Sequence, residues 1–159
     1  MRKVCLGFAI LMLSAVAANA APKAELFGGY QFTHLDGGPN MNGWNGALTG
    51  NFNSWFGITA DFSGVYGSGL RFHTYNFGPE VHAHLPMVKP FAHALFGGAR
   101  LSGNGGGVNG FDMLLGGGID AGHGPLAFRV VQFDWMTTRF SGFTDHKNVR
   151  VSTGLVVRF

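Results

Sequence analysis

Residues 23–33 read Lys23-Ala24-Glu25-Leu26-Phe27-Gly28-Gly29-Tyr30-Gln31-Phe32-Thr33, and their side chains sort by parity. One face carries Ala24, Leu26, Gly28, Tyr30 and Phe32; the other carries Lys23, Glu25, Phe27, Gly29, Gln31 and Thr33. Alternation with period two marks a β-strand with two unlike faces, because successive side chains on a strand point to opposite sides.

Working outward, the same pattern recurs. In 43–52, Trp44, Gly46, Leu48 and Phe52 oppose Asn45, Ala47, Thr49 and Asn51; in 56–66, Phe56, Ile58, Ala60 and Phe62 oppose Thr59, Asp61 and Ser63, with Asn53-Ser54-Trp55 as the hairpin turn. Further strands are predicted over 71–83, 89–100, 110–121, 126–137 and 147–159, which makes eight. The intervening segments 34–42, 67–70, 101–109 and 138–146 read mostly as long loops, and those between them as short turns, so loops would gather on one rim and turns on the other. The echo Leu26-Phe27-Gly28-Gly29, Leu95-Phe96-Gly97-Gly98 and Leu114-Leu115-Gly116-Gly117-Gly118 reads as compositional bias, or as glycine making room inside a narrow barrel. No segment beyond the N-terminus has a helical period, and no stretch after Pro22 has the 18 consecutive apolar residues of a membrane-crossing helix.

Composition agrees with an all-β membrane class. The 159 residues are 46% hydrophobic and 12% charged, with 27 glycines, more than twice the average usage. That excludes a coiled coil, a disordered chain and an ordinary soluble helical enzyme. Arg2 and Lys3 precede an apolar run over 4–16, and Ala18-Asn19-Ala20 offers small residues for cleavage, so residues 1–20 read as a signal peptide and 21–159 as one domain. Cys5, the single cysteine, lies in that leader, leaving no thiol or disulfide beyond it. Without Arg2 and Lys3, nine Lys/Arg face eight Asp/Glu, and no basic stripe exists to bind nucleic acid.

Two unlike faces do not by themselves say which points outward. The strand charges Glu25, Asp61, Glu80, Asp112, Asp120, Arg129, Asp134, Arg150 and Arg158 fall largely on the small, Gly-rich and polar face, which suits a crowded lumen. The other face carries Trp44, Phe56, Tyr66, Tyr75, Phe111, Phe128, Trp135 and Phe159, several near strand ends, as aromatic girdles of a membrane barrel require. Closure follows, since an open sheet edge is forbidden in hydrocarbon. Arg129 and Asp134 have opposite parity, so both face inward only if a β-bulge near Val130-Val131 inserts one residue.

The chain ends Ser152-Thr153-Gly154-Leu155-Val156-Val157-Arg158-Phe159. This looks like the last-strand signal, here Ser152, Gly154, Val157 and Phe159, read by the outer-membrane assembly machinery of Gram-negative bacteria. Together with the leader and eight strands, it resembles the small outer-membrane β-barrel proteins of the OmpA transmembrane-domain and OmpX type. The resemblance implies an eight-stranded antiparallel up-and-down transmembrane β-barrel, a monomer, in the outer membrane among lipid and lipopolysaccharide, with no cofactor. It is barely specific for activity, because that fold hosts anchors, adhesins and enzymes.

Inside such a barrel the expected charge network is Glu25, Glu80, His93, Asp120, Arg129, Asp134, Arg150 and Arg158. A tight turn at Pro86-Met87 sets His84 opposite Lys89, His82 opposite Phe91 and Glu80 opposite His93, the last pair facing each other in the lumen as a satisfied charge or as a pH-sensitive plug. His82, His84 and His93 form a weak metal candidate, lacking cysteine or a zinc motif. Gly103-Asn104-Gly105-Gly106-Gly107 lacks the ending of a phosphate loop and reads as a mobile loop. Arg139-Phe140-Ser141-Gly142-Phe143 reads as a loop at the membrane rim.

The functional expectation is a non-enzymatic barrel with a structural or surface-interaction role. Its rivals are a narrow ion or small-solute channel, a lipid A modifying enzyme, and a secreted lipocalin-like carrier suggested faintly by Asn42-Gly43-Trp44. The enzyme reading lacks a His-x-Ser motif, and Ser152 has the wrong facing beside His146 for a lipid-side nucleophile.

Overall fold

Every one of the eight alternating stretches forms a strand: β1 (Ala24–His34), β2 (Asn40–Asn51), β3 (Phe56–Gly67), β4 (Leu70–His82), β5 (Val88–Gly103), β6 (Gly106–Ala121), β7 (Leu126–Phe140) and β8 (Phe143–Arg158). The computed structural model describes residues 24–83, 85–122 and 124–159. The expected leader, Lys23, His84 and His123 lie outside the described residues, and with them the His84–Lys89 pairing.

Each strand pairs antiparallel with the next, and β1 pairs with β8, so the sheet closes on itself and leaves no edge. The closing seam runs in register from Glu25 opposite Arg158 to His34 opposite Val149. Ala24 and Phe159 then exchange two backbone hydrogen bonds of 2.7 and 2.9 Å, which tie the terminal residue to the first strand. At this seam Gly29 stands opposite Gly154, and a Cβ on Gly154 would run into the Gly28 carbonyl oxygen. The close approach therefore requires glycine there.

Ala24, Phe159 and the turns 52–55, 83–87 and 122–125 lie at one rim, here the terminal rim; the turns 35–39, 68–69, 104–105 and 141–142 lie at the distal rim. The expected contrast of long loops and short turns is not found. Residues 101–109 and 138–146 are mostly strand, because pairing continues through Leu101↔Val108 and Gly103↔Gly106, and through Arg139↔Thr144 and Phe140↔Phe143. The β3–β4 link is likewise a two-residue turn, with Ser68 and Gly69 at φ 50° and 76°, the left-handed pair that a tight hairpin demands. With 16 residues each, β5, β6 and β8 exceed the ~9–11 that a tilted strand needs to cross a bilayer, so these hairpins stand above the apolar belt.

The apolar face points outward. Leu26, Leu48, Phe62, Phe77, Leu115 and Leu155 are each about half exposed, whereas Glu25, Asp61, Glu80, Asp112, Asp120, Arg129, Asp134 and Arg150 are buried in the lumen. Trp44 is 47% exposed on the outside, which removes the lipocalin-like reading, since a carrier would turn that face inward. The glycine echo is not a structural repeat: Leu26 faces out while Leu95 and Leu114 are fully buried.

The bulge in β7 lies where parity requires it. Ile119 pairs with Val131 but Asp120 pairs with Arg129, so Val130 is the inserted residue. Both valines point outward, at 51% and 41% exposure, and Arg129 and Asp134 both point inward. Thr153 Oγ1 donates to the carbonyls of Arg129 and Val130 at 2.9 and 3.3 Å, fastening the widened backbone to β8. A second irregularity lies where Met136 pairs with Asn148 but Thr138 pairs with Asp145, which leaves His146 and Lys147 facing Thr137. There the Trp135 indole donates to the His146 carbonyl.

Candidate functional site

The lumen is the chemically dense region of the molecule. Six of the eight Asp and Glu residues are buried within it: Glu25, Asp61, Glu80, Asp112, Asp120 and Asp134. Each is on an inward-facing position of its strand, so alternation alone delivers them there. Isolated charges in so dry a space would be untenable, and each carboxylate is met by cations or hydrogen-bond donors.

Near the terminal rim, Lys89 Nζ lies 2.7 Å from both Glu25 oxygens and 3.6 Å from Glu80. Asn51 donates to Glu25 at 3.1 Å and Thr59 to Glu80 at 2.9 Å. Arg158 approaches Glu25 across the closing seam at 3.9 Å, and His82 Nδ1 stands 3.5 Å from Glu80.

The next group centres on Arg129. Its Nε donates to Asp120 at 2.7 Å, its Nη2 to the same carboxylate at 3.2 Å and its Nη1 to Gln132 at 2.6 Å. The guanidinium carbon lies between the Phe27 and Phe91 rings, 4.3 and 4.2 Å from their centroids. A planar cation between two aromatic faces fills the lumen and is attracted by both ring quadrupoles. Gln132 passes the chain of bonds on, donating to Asp134 Oδ2 at 2.7 Å.

Arg150 forms the third group. Its Nε donates to Asp134 Oδ2 at 2.7 Å, while Nη1 and Nη2 grip the two oxygens of Asp61 at 2.6 and 3.1 Å. His93 Nε2 donates to Asp134 Oδ1 at 2.6 Å, and Asn45 donates to Asp61 at 3.0 Å. Asp112 accepts from Asn76 and Thr138 at 2.8 and 3.0 Å.

Towards the distal rim the lumen turns apolar. Met41, Val65, Phe72, Leu95, Ala99, Leu114 and Met136 form one buried cluster, and Leu35, Leu70, Leu101 and Phe140 pack against it from the distal hairpins. Phe140 thus turns towards this cluster instead of standing on a rim loop. The arrangement is a charge-compensated lower lumen under an apolar stopper.

All eight residues of the expected network lie in the lumen or at its terminal mouth, but not every pairing is as read. Glu80 and His93 are opposite in register, as are His82 and Phe91, yet His93 bonds Asp134 and Glu80 takes Thr59, His82 and Lys89. Register fixes neighbours within the sheet; in a narrow lumen a long side chain also reaches across. Lys89, Asp61 and Gln132 join the network as central members that the sequence reading did not place in it. Lys89 shares parity with Phe91 and His93, and that signal was sufficient to place it inside. For the metal candidate, His82 and His93 face inward, but no group of three or more His, Cys, Asp or Glu among the described residues is placed to hold an ion.

No protein-family model matches the chain, and no curated protein matches it. Its fold is that of solved eight-stranded outer-membrane barrels. It is similar to Ail, the attachment invasion locus protein of Yersinia pestis, at 17% identity and a TM-score of 0.55, over 88% of this chain and 100% of that one. It is similar to the N-terminal barrel domain of Pseudomonas aeruginosa OprF at 8% identity and a TM-score of 0.62, over 89% and 100%. Neisserial surface protein A matches at 14% identity and a TM-score of 0.60, over 86% and 96%.

Proposed function

We propose that the chain is a non-enzymatic, non-conducting integral barrel of a Gram-negative outer membrane, exported by the leader at 1–20 and working through its structure and its distal surface. The observation that carries this reading is the pairing of a lipid-compatible exterior with a lumen filled by ion pairs and stopped by the Met41–Phe72–Leu114–Met136 cluster. An eight-stranded barrel has just enough interior for its own side chains, and here they occupy it.

In this reading the terminal rim, which carries both chain ends, faces the periplasm, and the distal hairpins, whose strands run on past the apolar belt, face outward. Ser152, Gly154, Val157 and Phe159 serve as the assembly signal during insertion. Val157 and Phe159 point outward at 41% and 67% exposure, where a receptor can reach them, while Ser152 points inward. The burial of Ser152, 1% exposed, also argues against a serine nucleophile on the lipid side near His146.

The experiment is fractionation combined with heat-modifiable gel mobility. A fast-migrating unheated band in the outer-membrane fraction supports the reading; a soluble protein with no mobility shift overturns it.

A further inference from the structure

Among the described residues, the outward-facing cations of the strands gather in one place. The described outward-facing cations of the strands are Arg71 on β4, Arg100 on β5, Arg139 on β7 and Lys147 on β8, all towards the distal rim. Three of them belong to one row that crosses β4 to β7, with Asn109 of β6 between Arg100 and Arg139. His73 is opposite Arg100, Arg100 is opposite Asn109, and Arg139 is opposite Phe111, the next outward residue after Asn109. Arg71 stands one outward step beyond His73. Four strands at ~4.8 Å spacing make this a row about 14 Å wide. Every carboxylate from β4 to β7 (Glu80, Asp112, Asp120 and Asp134) is buried in the lumen, so no acid of these four strands stands on the outward face beside the row.

Two features show how the row is built. Gly107 leaves open the space beside Arg100: a Cβ there would come within 3.3 Å of the Arg100 Nε and 3.5 Å of Nη2, so the bare backbone lets the guanidinium lie along β6. Beside Arg139 an open cleft of about 430 Å³ is lined by Asn109, Gly110, Phe111, Arg139, Phe140 and Ser141. Its lining combines the polar Asn109, Arg139 and Ser141 with the Phe111 ring. Aromatic rings follow towards the membrane, with Tyr75 one outward step from His73, Phe111 beside Arg139 and Trp135 two outward steps from Arg139, each about half exposed. Aromatic rings of this kind mark the hydrocarbon boundary, and the headgroups lie just beyond it.

We propose that Arg71, Arg100 and Arg139, with His73 and Asn109, form a binding row for phosphate-bearing headgroups of the lipid leaflet that surrounds the distal rim. This rests on the outer-membrane reading above and names the lipid chemistry that its distal surface takes. Guanidinium forks match phosphate oxygens two at a time, and the cleft at Phe111 receives the first carbons of an acyl chain beneath them. The phosphate, rather than the chain, supplies the selectivity, because the belt below accepts any hydrocarbon.

The test uses the protein folded in zwitterionic detergent, with its heat-modifiable band checked first. Failure of the wild-type protein to show that band contradicts the membrane-barrel reading itself. Bisphosphorylated lipid A dispersed in the same detergent is then titrated calorimetrically into the wild type, into R100Q and R139Q, and into the R71Q/R100Q/R139Q variant. We expect about a fivefold loss of affinity per arginine and roughly a hundredfold for all three. Dephosphorylated lipid A should bind all of them equally weakly. Since these side chains are exposed, the variants keep the fast band; should the triple variant lose it, the two single variants decide. Equal binding of lipid A by wild type and variants overturns the proposal. So does full competition by inorganic phosphate at the same phosphate concentration, which would make the row a site for soluble anions.

Discussion

Arg150 on β8 and Asp61 on β3, 89 positions apart, meet across the lumen through two hydrogen bonds of 2.6 and 3.1 Å. Neither is the other's neighbour in the sheet: Asp61 stands opposite Ala47 and Asn76, and Arg150 opposite Thr33 and Asp134. The contact therefore exists only once the barrel has closed, and both partners are buried at closure.

Replacing Arg150 with Met should leave Asp61 and Asp134 without their shared cation. We expect a loss of about 3–5 kcal/mol, the usual cost of stranding a buried charge. Urea unfolding in detergent, followed by the fast gel band, measures it. The D61L/D134L/R150M variant, which removes all three charges, should recover much of that loss; equal stability of R150M and the wild type would mean that the pair does not hold the lumen closed.

Deleting Val130 should be far worse than enlarging it. Without the inserted residue Arg129 turns to lipid, at a cost of about 2–4 kcal/mol near mid-depth, and Asp120 loses its partner. The deletion should abolish the fast band, whereas V130L, on the exposed crest of the bulge, should retain it. T153V removes the two bonds that fasten the bulge and should cost about 1 kcal/mol.

The C-terminal residues separate folding from delivery. G154V places a side chain against the Gly28 carbonyl at the seam and should prevent refolding in detergent as well as in cells. F159A keeps both backbone bonds to Ala24 and should refold like the wild type. In cells it should reach the outer membrane in reduced amount if Phe159 is part of the assembly signal. Normal accumulation of F159A would remove that role.

The bulge was legible because Arg129 and Asp134 break parity, and a charge on the wrong face has only one inexpensive remedy. The distal ends of β5 and β6 were not. Gly103, Gly106 and Gly107 carry no side chain to reveal alternation and have low strand propensity, yet the ladder that pairs Leu101 with Val108 continues through them to the turn at 104–105. The lumen was legible as a set of residues and not as a set of contacts. Arg129 lies between Phe27 of β1 and Phe91 of β5, strands far apart in the sheet order, and their meeting depends on how tilt and stagger bring the lumen side chains to one height. Nothing in the local pattern of any one strand encodes that height. The same reason separates Glu80 from His93: opposite in register, they found better partners across the barrel.

The central claim is a lumen closed by its own side chains, and planar-bilayer conductance of the folded protein tests it most directly. The account predicts no discrete conductance steps from the wild type, and none from R129A, because the Met41, Leu95 and Met136 stopper remains above the vacated space. Steady ohmic steps from the wild-type barrel would contradict it, and the lumen would then be a narrow channel whose ion pairs line a path instead of blocking one.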